Sequence, residues 1–100
     1  MSSKDPNELD FFSVNWTLRL YSGETVSTST WTGASGDMNF NTTTSTAAGV
    51  PGHSVSSDGT TTTIWANGGS ANTTTTIVNR VTTSLSRQLD ETISVACVSN

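Results

Sequence analysis

One cysteine, one histidine, two prolines and four lysine or arginine residues are all that a chain of 100 residues contains of these types. Each shortage removes a class of protein. A lone thiol, Cys97, closes no disulfide within the chain. In the alternating run Ile93-Ser94-Val95-Ala96-Cys97 it reads as a small apolar core residue, inert rather than reactive. His53 sits between Gly52 and Ser54 with no cysteine or second histidine at ligand spacing, and reads as a solvated loop side chain. The cations Lys4, Arg19, Arg80 and Arg87 are scattered through a chain of formal net charge -4. A phosphate backbone needs clustered positive charge, so nucleic acid is excluded as a partner. No apolar run approaches the ~18 residues of a membrane span, which excludes a membrane partner of the helical kind. Met1 to Asp10 lacks the charged, apolar and small-residue pattern of a leader, so a soluble protein made in a cytosol is expected. On that expectation the sequons at Asn15, Asn41 and Asn72 go unread.

The residues of types able to carry chemistry do not assemble into any site. Asp90 and Glu91 are adjacent, so on a strand they face opposite sides and cannot work as a pair on one substrate. Gly68-Gly69-Ser70 is too short for a phosphate cradle and lacks the helix that would follow one. Asp37 and Asp58, each beside a glycine, lack the D-x-D-x-D-G spacing of a calcium loop and read as hydrogen-bonded turns. No catalytic, cofactor-binding or metal-ligating residue is assigned, no cofactor is implied, and no enzyme is expected. Three tryptophans stand among 32% hydrophobic residues. They are needed for a core, although an exposed one would also stack on a sugar ring.

What the chain does contain is threonine, serine, asparagine and glycine in place of charge, which stands at 12%. That composition suits strands with hydroxylated outer faces. The organising stretch runs from Asp58 to Thr83. Two β-branched runs, Thr60 to Ala66 and Thr74 to Thr83, flank Gly68-Gly69 and read as an antiparallel strand pair. With period-two alternation Thr62, Ile64 and Ala66 share one face of the first run. Thr75, Ile77, Asn79, Val81 and Thr83 share one face of the second, and this face is expected to turn inward.

Elsewhere, residues 1–8 are polar and carry Pro6, so they read as an extended arm, either frayed or laid across a neighbouring subunit. Within it Lys4, Asp5, Pro6, Asn7 and Glu8 are candidate partner contacts. Leu9 to Trp16 suits a first strand, and Trp16 to Tyr21 one helical turn ended at Ser22-Gly23-Glu24. In Thr25 to Thr32, Val26 and Trp31 fall on opposite faces unless a bulge near Ser29 brings both inside. Residues 33–58 leave room for short strands only, at Met38 to Thr43 and Ser54 to Ser57. Asp90 to Ser99 makes the last strand, with Ile93, Val95 and Cys97 on one face. No sustained 3.6-residue apolar period appears, and turn signals recur at about the 8–12-residue spacing of sandwiches. The reading is all-β, an antiparallel sandwich of about seven short strands over residues 9–100. Its candidate core is Trp16, Trp31, Ile64, Ile77, Val81, Ile93 and Val95. A core this thin, with edge strands nearly free of lysine, leads one to expect a homo-oligomer or ring rather than a free monomer.

A spaced set of residues carries a resemblance over most of the chain. It comprises Asp5-Pro6, Leu9-Asp10, Trp16, Glu24-Thr25-Val26, Trp31-Thr32, Ile64-Trp65-Ala66-x-Gly68-Gly69-Ser70-Ala71-x-Thr73-Thr74 and Asn79-Arg80-Val81-Thr82-Thr83. The set resembles the small fiber-tail adaptor or neck proteins of tailed bacteriophages. The resemblance implies an immunoglobulin-like sandwich and a structural role as an adaptor joining tail or neck to fiber or neighbouring subunits. It also implies a place in the virion after assembly in the host cytoplasm, with other virion proteins as partners. Two departures stand out: Thr75 replaces an aromatic residue, usually tyrosine, and Ser84-Leu85-Ser86 lacks the usual glycine. A capsid decoration protein and a carbohydrate-binding module are the alternatives that the residues leave open.

Overall fold

The computed structural model describes residues 2–4, 8–36 and 38–97. Eight strands form among them: β1 (Ser2–Lys4), β2 (Asp10–Asn15), β3 (Val26–Ser35), β4 (Met38–Phe40), β5 (Ser54–Val55), β6 (Thr61–Gly68), β7 (Thr73–Thr83) and β8 (Gln88–Cys97). They build two sheets, so the fold is an all-β sandwich, with one strand more than the turn spacing suggests. The first sheet has the order β1-β8-β7-β3. The second has the order β2-β6-β4, with β5 pairing β6 as well.

Alternation decides which side chains fill the space between the sheets. Thr75, Ile77, Asn79, Val81 and Thr83 line the inner face of β7, and Thr62, Ile64 and Ala66 that of β6. Phe12 and Val14 of β2, and Trp16 just beyond it, continue the inner layer of the second sheet. Of the candidate core, Trp16, Trp31, Ile64, Ile77, Val81 and Val95 are buried, whereas Ile93 is only partly buried against the cluster. Cys97 is buried and unpaired.

The strand pair expected around Gly68-Gly69 does not form, because β6 and β7 belong to different sheets. Both edges of β6 are taken, one by β2 and the other by β4 and β5. Positive φ at Gly68, Gly69 and Asn72 (74°, 101° and 66°) swings the connection across the sandwich. Each strand has an apolar inner face, and two such faces bury more by opposing each other than by lying side by side. β7 pairs instead with β8 through the turn that follows Thr83, and with β3.

In β3 the bulge lies earlier than Ser29. Val26 pairs Thr83 and Thr28 pairs Thr82, so Ser27 is the extra residue, and both Val26 and Trp31 point inward. The glycine-rich middle is held by Asn41, whose Nδ2 donates to the carbonyls of Ser45 (2.9 Å) and Val50 (2.8 Å). Its Oδ1 accepts from Thr43 N–H at 2.9 Å. Strand stays short there, with β4 ending at Phe40 and β5 at Val55.

Ser2–Lys4 pairs in parallel with Val95–Cys97 of the same chain. Among the arm candidates, Asp5, Pro6 and Asn7 lie outside the described residues, and Glu8 is exposed.

Candidate functional site

The surface features with the most structure behind them lie where β2 runs out. Trp16 is fully buried, and its backbone N–H donates to Thr60 O at 2.8 Å, which pins the end of β2 to the start of β6. A single 3-10 turn follows over Thr17–Arg19, closed by Arg19 N–H and Leu20 N–H on Trp16 O. The turn throws Leu18 outward at 99% exposure. It also lays the Arg19 guanidinium over the Trp16 ring, 5.3 Å from its centroid. From there Nη1 donates to the backbone carbonyl of Asp90 (3.0 Å) and to Glu91 Oε2 (2.9 Å), both on β8. A groove of about 480 Å³ opens beside this contact, between β2 and β8, walled by Val14, Trp16, Leu18, Arg19, Glu91 and Ile93. Ile93 forms part of the wall of this groove, which accords with its being only partly buried against the core.

The same end holds an ion pair. Glu24 is buried, and Arg87 grips it with both arms, Nε on Oε2 at 2.9 Å and Nη2 on Oε1 at 2.6 Å. Tyr21 N–H donates to Oε1 at 2.8 Å, and the Thr83 hydroxyl donates to Oε2. The Arg87 hydrogen bond is the largest influence on the carboxyl and brings it down to about 2, against desolvation that pushes the other way. Arg87 also stacks on the Tyr21 ring at 4.1 Å and donates to Arg19 O at 2.7 Å. Around this pair Leu18, Tyr21 and Leu85 present large apolar side chains to solvent.

On the outer face of the second sheet, Phe11 and Trp65 stand opposite each other with ring centroids 5.1 Å apart. Phe11 is half exposed. Ser13 and Thr63 share a hydrogen bond of 2.9 Å beside them, and Asn39 Nδ2 donates to Asn67 Oδ1 at 3.1 Å.

The isolated polar residues find structural employment. Asp58 Oδ1 accepts from Ser56 Oγ (2.6 Å) and Thr60 Oγ1 (2.9 Å), a turn that holds its carboxyl below the ordinary value. Asp37 lies outside the described residues. Asp90 faces outward and meets Arg80 through two bonds of 2.7 and 2.9 Å, while Glu91 turns toward Arg19. His53 is less solvated than its loop position suggests. It is half-buried, its Nδ1 has no partner among the described residues, and burial pushes its pKa down. Among the described residues no three His, Cys, Asp or Glu side chains gather to hold a metal. No helix there is long and apolar enough to cross a membrane.

Thr75, where the family resemblance leads one to expect tyrosine, is fully buried and takes a hydrogen bond from Met38 N–H at 3.4 Å. Gly36 lies against it so closely that a Cβ there would fall 2.3 Å from Thr75 Oγ1. This packing leaves no space beside Gly36 for an aromatic ring at position 75.

Fold and surface together define a small two-sheet β-sandwich whose accessible features are strand edges and exposed apolar side chains. Over residues 4–96 the chain matches the family model described as podophage GP4 fiber-tail adaptor protein gp77, and it belongs to that family. The family is one of phage structural adaptors, which implies a place in the virion and binding to other virion proteins. No curated protein and no solved structure matches the chain.

Proposed function

We propose that this protein joins the tail or neck of a tailed phage to its fiber, binding tail protein on one side and fiber or a neighbouring subunit on the other as a homo-oligomer or ring. The observation that carries the reading is the family match over residues 4–96. The surface supports it: Leu18, Tyr21 and Leu85 leave large apolar side chains exposed, a feature of protein contacts. β3 forms one margin of its sheet over ten residues with mostly hydroxyl side chains and no lysine. Residues 1–8 act as a contact arm in this reading, with β1 at the opposite margin and Lys4, Asp5, Pro6, Asn7 and Glu8 as its contact residues.

The test is to image particles made with and without the gene and to place the chain in the density. Density between tail and fiber, with fibers missing from the knockout, is the expected result. Density on the capsid surface, as for a decoration protein, overturns the reading. Deleting residues 1–8 is expected to lower incorporation while leaving a folded domain; normal incorporation of the truncated chain removes the arm from the account.

A further inference from the structure

We propose that the open edge of β8, residues 88–94, is the docking site for an extended strand of another virion protein, and that Arg19 holds that strand's place until it arrives. The inference rests on the adaptor reading and specifies its contact.

The backbone of β8 sets out the site. Thr83 N–H donates to Arg87 O, and Asn72 N–H to Cys97 O, both at 2.8 Å, so the odd-numbered residues turn their polar groups toward β7. In an antiparallel pair the alternate residues direct theirs away. Asp90, Thr92 and Ser94 therefore aim N–H and C=O at the opposite edge. β1 occupies that edge only along Val95–Cys97. Among the described residues no strand pairs with it from Gln88 to Ser94. An incoming strand here would lie in line with β1 and prolong a ladder that already exists.

Two further observations fit a strand. The groove between β2 and β8, about 480 Å³ with Val14, Trp16 and Ile93 in its walls, offers room for the inward side chains of such a strand. And Asp90 C=O is already served by a donor from outside the sheet, Arg19 Nη1 at 3.0 Å. A backbone N–H of an added strand would take over that bond.

Charge decides against a second copy of this edge. Antiparallel pairing of two such edges, centred on the middle of the open stretch, sets Glu91 against Glu91 of the second copy, with Asp90 one residue away. Like charges directly opposite destabilise a sheet. The chain carries a formal net charge of -4. Arg19, Arg80 and Arg87 are already engaged by Glu91, Asp90 and Glu24. A neutral or basic strand is the complementary occupant, supplied in the adaptor reading by a different virion protein, and it frees Glu91 to pair with a cation of its own.

Thr92→Pro tests the site. Proline removes an N–H that points to the open edge and leaves the β7 ladder intact, the setting in which strands tolerate it. Particles produced with this variant should carry at least tenfold fewer copies of the chain than wild-type particles, although the purified variant melts as a folded domain. Arg19→Ala, co-expressed with wild type, should take the larger share of sites. Wild-type incorporation of Thr92→Pro, or a smaller share for Arg19→Ala, overturns the proposal. Should Thr92→Pro fail to fold, hydrogen exchange of the wild-type chain decides instead. The Asp90, Thr92 and Ser94 amides should exchange fast in the free protein and slowly in the particle; equal rates overturn the proposal. If the wild-type chain is absent from the tail, the adaptor reading fails first. If it is present there and the variants behave as wild type, only the docking edge is lost.

Discussion

Trp16 Nε1 donates to Asn79 Oδ1 across the core at 3.2 Å, and this contact binds one sheet to the other. Thr62 Oγ1 donates to the same oxygen at 2.6 Å, and Trp16 Nε1 also reaches Thr62 Oγ1 at 3.1 Å. Asn79 Nδ2 then donates to Ser29 Oγ (2.9 Å) and Thr30 O (3.0 Å) on β3. Every donor and acceptor of the amide is used, which is the condition for a buried polar group to stabilise rather than cost. Asn79→Ala strands several of these partners without water. Each unsatisfied group costs about 1–3 kcal/mol, so a total loss of about 3 kcal/mol or more is expected. In thermal unfolding the melting point should fall by at least about 12 °C. A fall of a degree or two would mean that the network contributes little.

Ile77 is fully buried opposite Ile93 on the adjacent strand. Ile77→Ala should destabilise by roughly 2–5 kcal/mol, a large part of what a domain of this size has. Urea titration of the two proteins measures it, with a lower midpoint and a similar slope expected.

Acid should loosen the fold through Glu24. Its carboxyl titrates at about 2 in the folded chain against the usual 4.5. The folded value is the lower one, so the stabilisation is complete above pH 4.5 and drains away as pH falls toward about 2. Asp58 and Asp90, held down by the Ser56 and Thr60 hydroxyls and by Arg80 respectively, act with the same sign. Urea midpoints measured between neutral pH and pH 2 should decline, and Glu24→Gln should start lower and decline less steeply. Parallel curves for the two proteins would rule out Glu24 as the source.

Ser86 stands at φ 62°, in the left-handed region, in the turn between β7 and β8. A Cβ there is strained and glycine is not, so Ser86→Gly should stabilise by about 0.5–1 kcal/mol after the added chain entropy is subtracted. The same glycine is what the family resemblance leads one to expect in this turn. Calorimetry showing a lower melting point for the variant would contradict this account of the turn.

Much of this molecule is written in local order. The β-branched runs, the two-residue alternation and the turn spacing specify strands and their inner faces, because side-chain direction along a strand depends on the chain alone. Asn79 and Thr75 point inward for that reason, polar as they are. Alternation also placed Phe12 and Val14 beside Trp16 in the inner layer, a signal present in Asp10–Asn15 itself. Which strands become neighbours is not local. β6 and β7 run consecutively with glycines between them, yet they oppose each other across the core, since both inner faces must be buried at once. The bulge at Ser27 is likewise set by its partner strand, as the one residue β3 must discard for Val26 and Trp31 to reach the same core. Arg19 and Asp90 meet over 71 positions of sequence, and no spacing announces the contact. Local sequence determined the faces of this protein; packing of the two sheets decided its pairings, and with them which edge was left open.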